Sequence, residues 1–459
     1  MSKSILIILA FTLVTYANSL SNGFVRDDEI IIVDNSFYRS WKNLPQLFQK
    51  DYLTDTHKGY FHPKDYHSGA VAYRPVSSLT YFWDYGIWKL NSFGYHLQNL
   101  IWHTLNSILV FFLVNRMGIK NQTALLSAIL FSTHPVQSEA VCNSGFRADL
   151  LSFFFLASAF LGYLRYSDAH GSRKSFFIVI SLVLFFLALF SKESAVVFPQ
   201  SDFPVLWFFV SLIPVSNIIP LANPMAYRFL YLPSVGFAAM IGLGMERISF
   251  RWNFLKNYPN LKSNVRRLLI GAYILMTVSL NGLWKSNYAV ASELIRYYPH
   301  LPRGYVILGK EYLTAGLEEK AKRPLERAAA LGSNDPRAYY MLGICYLGSP
   351  EVSEKYLKEA LALEPEYFPP YDLLGQIYLS RKDYDKALLY LKRSLELEPR
   401  WPGHYSSLIR LYFELNRFQE ARSVLEKAQE DLKDQEEIKS LQELMMRLRG
   451  KDGVEEGEK

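Results

Sequence analysis

At 459 residues the chain has room for two or three domains, and half of its residues are hydrophobic, a share that excludes neither a globular nor a membrane protein. Its net charge of +7 is spread rather than clustered, and the densest basic stretch, 247–267, lies between two apolar runs where positive charge fixes cytoplasmic loops, so nucleic acid is a poor partner. The two cysteines, Cys142 and Cys345, lie too far apart in kind of surroundings to suggest a disulfide framework or a metal site.

The chain opens with Lys3 and an apolar run over 5–14. A cleaved signal peptide fits that run, but an uncleaved first helix or signal anchor over 1–20 fits better, because many later spans make a separate export signal unnecessary. Residues 21–96 read as a polar, aromatic-rich extracytoplasmic loop carrying an acidic motif. Apolar runs then follow at 97–114, 124–141, 150–166, 176–190, 203–221, 229–245 and 268–284. Together these predict about eight spans, a multi-pass domain over 97–284, since each run nears the ~20 residues a bilayer requires. Helices are the expected form, because backbone groups in lipid must be paired internally. One conflict stands out. Counting from a cytoplasmic Lys3, the basic 247–267 loop falls outside, against the positive-inside rule. The stretch 191–204 is where a span is most readily miscounted or missing.

Beyond Asn287 the chain turns rich in Glu, Lys and Arg, and it repeats. Tyr305, Leu308, Gly309 and Tyr312 recur 34 residues later as Tyr339, Leu342, Gly343 and Tyr346. Tyr371, Tyr378, Tyr384, Ala387 and Leu391 recur 34 residues later as Tyr405, Tyr412, Phe418, Ala421 and Leu425, while the middle unit is two residues short. Pro365 and Pro399 close their units. The period and pattern resemble the tetratricopeptide family. They predict stacked helical hairpins over 287–428, each covering its neighbour's apolar face, then a capping helix and charged tail over 429–459. Such an array offers a surface for a protein partner rather than a place for chemistry.

Chemistry is expected in the membrane half. Asp27, Asp28 and Glu29 are three adjacent acids just beyond the first span. Desolvation and mutual repulsion would raise at least one pKa, which suits a general base. A divalent cation is the alternative use of such a triplet, and a solvated loop start is the bland one. A second cluster joins His134, Glu139, Arg147 and Asp149. Arg147 could hold a phosphate by a charge-assisted fork, or it could pair internally with Asp149 or Glu139; His134 reads as structural. Lys192-Glu193, Arg228 and Arg74 sit at the ends of apolar runs, where interfacial anchoring is the plain alternative. No phosphate-cradling glycine loop or paired Cys-x-x-Cys motif is present.

Taken in order, these segments resemble the TMTC-type protein O-mannosyltransferases and their prokaryotic relatives. The resemblance rests on Phe24-Val25-Arg26-Asp27-Asp28 with Asn35, and on Tyr73-Arg74-Pro75 followed by Phe93-Gly94-Tyr95-His96 and Asn99. It continues through His134-Pro135-Val136, Glu139-Ala140-Val141, Gly145 to Asp149, Ser191-Lys192-Glu193, Pro214-Val215-Ser216-Asn217 and Arg228 to Ser234. It implies an all-α protein, a glycosyltransferase-C-like membrane domain followed by a tetratricopeptide α-solenoid. It also implies transfer of a sugar, with mannose expected, from a dolichyl- or undecaprenyl-phosphate carrier to protein Ser/Thr hydroxyls. Asp27 or Asp28 would be the catalytic base; Arg147, Arg228, Lys192 and Arg74 would receive the donor phosphate; His134, Glu139, Asp149 and Glu193 would support them, with no resident metal implied. The partners would be the lipid-linked donor, membrane lipid and an acceptor protein gathered by the repeats. The host membrane would be the endoplasmic reticulum in a eukaryote or the cell (inner) membrane in a prokaryote. Only 194–212 separates the Lys-Glu motif from the Pro-Val-Ser-Asn motif, shorter than in relatives, so an internal loss of an odd number of spans is expected there and could inactivate the enzyme. The competing class is an inactive membrane-anchored scaffold that uses its repeats to bind partners; a transporter is disfavoured because the spans show no internal duplication.

Overall fold

The computed structural model describes residues 1–49, 73–196, 204–218, 226–251, 259–399, 401–432 and 435–451. Among these the chain is helical, with no strand. The described residues divide into two compact units, one up to Val290 and one from Ala291 on.

The first unit contains α1 (Ser2–Tyr16), α2 (Pro75–Trp88), α3 (Ser92–Arg116), α4 (Asn121–Thr133), α5 (Ser138–Cys142), α6 (Arg147–Asp168), α7 (Ser172–Ser191), α8 (Val205–Leu212), α9 (Pro233–Arg251) and α10 (Pro259–Asn281). Its core gathers Val110, Phe131, Phe153, Tyr231 and Val235, all buried. Among the described residues five helical stretches are long and apolar enough to cross a membrane: Ser2–Ser21, Ser92–Arg116, Ser144–Asp168, Ser172–Ser191 and Ser263–Lys285. In Ser172–Ser191 and Ser263–Lys285 only 17% and 11% of the apolar window is buried, so both turn most of their hydrophobic surface outward.

The eight predicted runs are therefore not eight long helices. Pro135 lacks a backbone donor, and α4 ends at Thr133 with His134 extended, so the run 124–141 becomes a 13-residue helix, a tight turn and the five-residue α5. In the run 203–221 the described residues, 204–218, form α8, prolonged by a 3-10 turn to Val215. Residues 197–203, central to the predicted shortening, lie outside the described residues. The polar loop expected over 21–96 contains a helix, α2. Pro75 starts it at the first helical position, where a missing N–H costs nothing.

In the second unit, helices Pro302–Thr314, Pro336–Cys345, Phe368–Ser380 and Pro402–Glu414 each pair with a following helix: Glu318–Ala330, Pro350–Leu363, Tyr384–Leu397 and Phe418–Asp431. The repeated glycines explain the close pairing. A Cβ on Gly309, Gly343 or Gly375 would fall 2.4, 2.6 or 2.5 Å from Leu325, Leu357 or Leu391. A repeated tyrosine locks the entry of three hairpins, with the hydroxyls of Tyr305, Tyr371 and Tyr405 donating to the carbonyls of Pro299, Pro365 and Pro399. The second hairpin has Ser333 where the proline would stand. Gly375→Ala is expected to cost the repeats about 1–3 kcal/mol by overpacking Leu391. Denaturant melts of the full chain would check this, and an unchanged midpoint would count against it.

Candidate active site

The acidic loop begins where the first long helix ends. Arg26 adopts φ 53°, the left-handed region, which costs an L-residue roughly 1–2 kcal/mol. The conformation is held from outside: the Arg26 N–H donates to Asn287 Oδ1 at 2.8 Å, and Asn287 Nδ2 donates to Glu29 Oε1 at 2.6 Å. This twist turns the next two acids into different surroundings.

Asp28 is fully buried. Its Oδ2 accepts from Val25 N–H at 3.1 Å and its Oδ1 from Gly145 N–H at 2.6 Å. Burial pushes its carboxyl up to about 7, with the N–H bonds from Gly145 and Val25 working against that rise. Asp27 is only half-buried and has no ion pair among the described residues. Both oxygens of Asp28 are thus engaged by backbone, while Asp27 keeps access to solvent.

The partner loop, 143–147, is the hub of the site. Asn143 Nδ2 donates to Val25 O at 3.2 Å, and Asn143 Oδ1 accepts from Gly145 N–H at 3.1 Å. A Cβ on Gly145 would lie 2.9 Å from Ile31 Cδ1 and 3.2 Å from Asp28 Oδ1, so a larger residue would push on Ile31 and on the Asp28 carboxylate where the acidic loop closes. Gly145→Ala is expected to loosen that seam; faster proteolysis of the Gly23–Glu29 region would report it, and wild-type resistance would contradict it.

Arg147 follows, with no exposed surface. Its Nε donates to Asn99 Oδ1 at 2.8 Å, Nη1 to Asp84 Oδ2 at 2.5 Å and to Thr80 Oγ1 at 3.0 Å, and Nη2 to Tyr95 O at 3.1 Å. The guanidinium also lies 5.0 Å from the Tyr81 ring centroid. The alternative of an internal pair with Asp149 or Glu139 is not what forms: Arg147 pairs with Asp84, on α2, while Asp149 and Glu139 serve other cations. Asp84 sits among aromatics in Tyr81-Phe82-Trp83-Asp84-Tyr85. A lone acid in such a run was the available signal for a buried partner.

Three further cations come together from distant parts of the sequence. Lys192 Nζ meets Asp149 Oδ1 at 2.5 Å, with side-chain exposures of 9% and 11%. Arg228 donates from its backbone N–H and Nη1 to Glu139 at 3.1 and 2.6 Å, and its guanidinium lies 4.0 Å from the centroid of Phe146. Arg74, the residue before α2, grips Glu193 through Nε and Nη2 at 3.2 and 2.7 Å. Burial lowers the Lys192 pKa, opposed by Asp149, and the charges of Arg74 and Arg228 lower it further. The ring of Phe229 lies beneath both Lys192 and Arg228, at 5.8 and 5.1 Å. Among the described residues, Nε and Nη2 of Arg228 take no hydrogen-bond partner. A site with three gathered cations, one presenting unused donors over aromatic rings, can receive a phosphate.

His134 stands apart from this chemistry. Its Nδ1 accepts from Val136 N–H at 3.1 Å, and its ring packs edgewise on Tyr273 and Phe237. It caps the turn that breaks the helix. Among the described residues no group of three or more His, Cys, Asp or Glu is arranged to hold a metal ion.

Comparison with known proteins places this geometry in context. Residues 378–445 match the family model described as tetratricopeptide repeat. The chain is 32% identical over 194 residues to human protein O-mannosyl-transferase TMTC3, covering 42% of this chain and 20% of that protein. It is 32% identical over 190 residues to human protein O-mannosyl-transferase TMTC1, covering 39% and 21%. The matched length is thus about a fifth of these relatives. Among solved structures, TTC0263, a thermophilic tetratricopeptide protein of Thermus thermophilus, is 24% identical over 39% of this chain and 96% of that one, with a TM-score of 0.31. The chain is accordingly a helical protein with a tetratricopeptide segment and, over about two-fifths of its length, a sequence similar to the TMTC protein O-mannosyl-transferases.

Proposed function

We propose that the chain is a multi-pass membrane glycosyltransferase that moves a sugar, mannose by the relatives' names, from a polyprenyl-phosphate carrier to Ser/Thr hydroxyls of a protein. The membrane would be that of the endoplasmic reticulum or, in a prokaryote, the cell. The acceptor hydroxyl attacks C1 of the sugar, its proton passes to Asp27, and the C1–O bond to the carrier phosphate breaks with inversion. Arg228, assisted by Lys192 and Arg74, takes the departing phosphate charge. Asp28 and Arg147 position the loops that carry these groups. The repeats gather the acceptor protein.

The observation that carries this reading is the single hub 143–147. Gly145 holds the acidic loop through Asp28, and Phe146, one residue on, stacks beneath Arg228. The loop that carries the proposed base and the cation proposed to take the phosphate are thus tied to adjacent residues of one loop, which supports the reading. The test is incubation of the full chain with labelled polyprenyl-phosphate mannose and Ser/Thr peptides. Label on peptide is the expected result, and Arg228→Ala should lower kcat/KM by about 10²-fold, comparable to losing one preorganised donor.

One observation favours the second reading, an inactive scaffold. Lys192, Arg228 and Arg74 each already hold a carboxylate, so a phosphate must compete with an existing ion pair. Absence of transfer by wild type, under conditions where a relative works, would decide for the scaffold.

A further inference from the structure

The acidic loop lies along a second stretch of chain, the one that leaves α10. The two stretches run side by side, tied by side-chain amides. Asn18 Nδ2 donates to Val278 O at 3.0 Å, and Asn281 Nδ2 donates back to Thr15 O and Asn18 Oδ1, each at 2.9 Å. Further along, Asn22 Nδ2 donates to Asn281 O at 3.2 Å and Gly23 N–H to Lys285 O at 3.0 Å. Asn287 closes this seam at the acids themselves.

Asn287 is the first residue of the helix Asn287–Tyr297, by which the chain passes on toward the repeats, and it is buried. Its amide is used at both ends. A backbone N–H only donates and a carboxylate only accepts. The carbonyl of Asn287 must therefore face Arg26 N–H and its NH₂ must face Glu29, at the 2.8 and 2.6 Å observed. One side chain thus holds both ends of the turn 26–29. The clamp sits on the strained residue, Arg26, whose φ is 53°. A non-glycine residue stays in that region only where its surroundings over-determine it. Within the turn, Asp28 N–H donates to Val25 O and Glu29 N–H to Arg26 O, each at 3.1 Å, and Gly145 N–H pins the Asp28 carboxylate. Asp27 lies between these fixed points, so the direction of its carboxylate follows from the backbone at Arg26.

We propose that Asn287 is a positioning residue: it keeps Arg26 in the left-handed region and thereby aims Asp27, with Glu29 as its anchor. The third acid of the triplet then serves geometry rather than proton transfer. The amide suits both tasks. Aspartate would set a second carboxylate against Glu29, and alanine would withdraw this partner from Arg26 N–H and Glu29 together. The use made of Asp27 rests on the glycosyltransferase reading. The hold on the turn does not, and it is measured without substrate.

The test uses the full chain in detergent with two readouts: deuterium uptake by the amides of 24–29, and mannose transfer from labelled polyprenyl-phosphate mannose to a Ser/Thr peptide. Asn287→Ala is expected to speed uptake at 24–29 by about tenfold, as a local opening does. It should lower kcat by about 10²-fold, the effect of a slight misplacement of a reacting group, with the donor KM unchanged. Two double variants should recover both readouts. Adding Arg26→Gly to Asn287→Ala supplies a residue that takes positive φ without support. Asn287→Asp alone repels Glu29, but with Glu29→Gln it restores one acceptor for Arg26 N–H and one donor–acceptor pair at position 29. Uptake unchanged in Asn287→Ala would overturn the proposal. So would failure of both double variants to recover, which would make Asn287 a general packing residue. Faster uptake with kcat unchanged would overturn the aiming of Asp27. Wild type that transfers nothing would remove the enzyme reading and Asp27's role with it, while uptake would still decide whether Asn287 holds the turn.

Discussion

Asp27→Asn is expected to lower sugar transfer by about 10²–10⁴-fold, the usual contribution of a positioned base, while insertion and folding stay as in the wild type. The side chain reaches solvent and holds no ion pair among the described residues, so removing its charge costs the fold little. Asp28→Asn should behave differently. An amide keeps one acceptor and turns an NH₂ toward either Val25 N–H or Gly145 N–H, leaving that buried donor unpaired at a cost of about 1–3 kcal/mol.

The two variants also separate by pH. The buried Asp28 carboxyl titrates at about 7 instead of its ordinary 3.8. Between those values the native state binds a proton that the unfolded chain has released. This group's favourable contribution is therefore full below pH 4 and is lost as pH rises through 7. Thermal melts at pH 4.5, 6 and 7.5 should show that decline in wild type and a flatter trend in Asp28→Asn. If Asp28 were the base, transfer would rise through a limb near pH 7 and vanish in Asp28→Asn. Survival of transfer in Asp27→Asn would remove Asp27 from the mechanism.

Much of this fold is legible in the sequence because a single period carries it. The repeats announce themselves through Gly309, Gly343 and Gly375, each opposed by a leucine on the following helix. The end of α4 was legible in Pro135, yet the apolar run through it read as one span, because hydropathy does not register a missing N–H. Helix α2 was missed for a related reason. Its buried face mixes Ser77, Ser78 and Asp84 with Tyr81 and Phe82, so a pattern that expects only apolar residues inward finds no helix there. The site shows the same limit. Asp27, Asp28, Lys192, Arg228 and Arg74 were each legible as charges beside apolar runs, but their partners lie 43 to 119 residues away for Lys192, Arg228 and Arg74. Pairings over such distances depend on how helices stack, which local composition does not encode.

Arg147 provides the sharpest case, and the largest expected effect on stability. Arg147→Met should destabilise the first unit by about 3–5 kcal/mol, the cost of leaving a buried charge without its partner. Asp84 would keep a carboxylate with no exposed surface, and Asn99 Oδ1 and Tyr95 O would lose the donors they now accept from. Arg147→Lys should recover little, since one ammonium cannot serve Asn99, Asp84, Thr80 and Tyr95 from a single point. Arg147→Met combined with Asp84→Leu should recover much of the loss, because removing both charges removes the uncompensated one. Melting of detergent-extracted protein, with transfer measured in parallel, separates a strut from a phosphate ligand. A strut loses folding and activity together, and the double variant restores folding first. A variant that melts as wild type does yet transfers nothing would make Arg147 a ligand for the donor after all, and its hydrogen bonds to Asp84 and Asn99 a resting arrangement that the donor displaces.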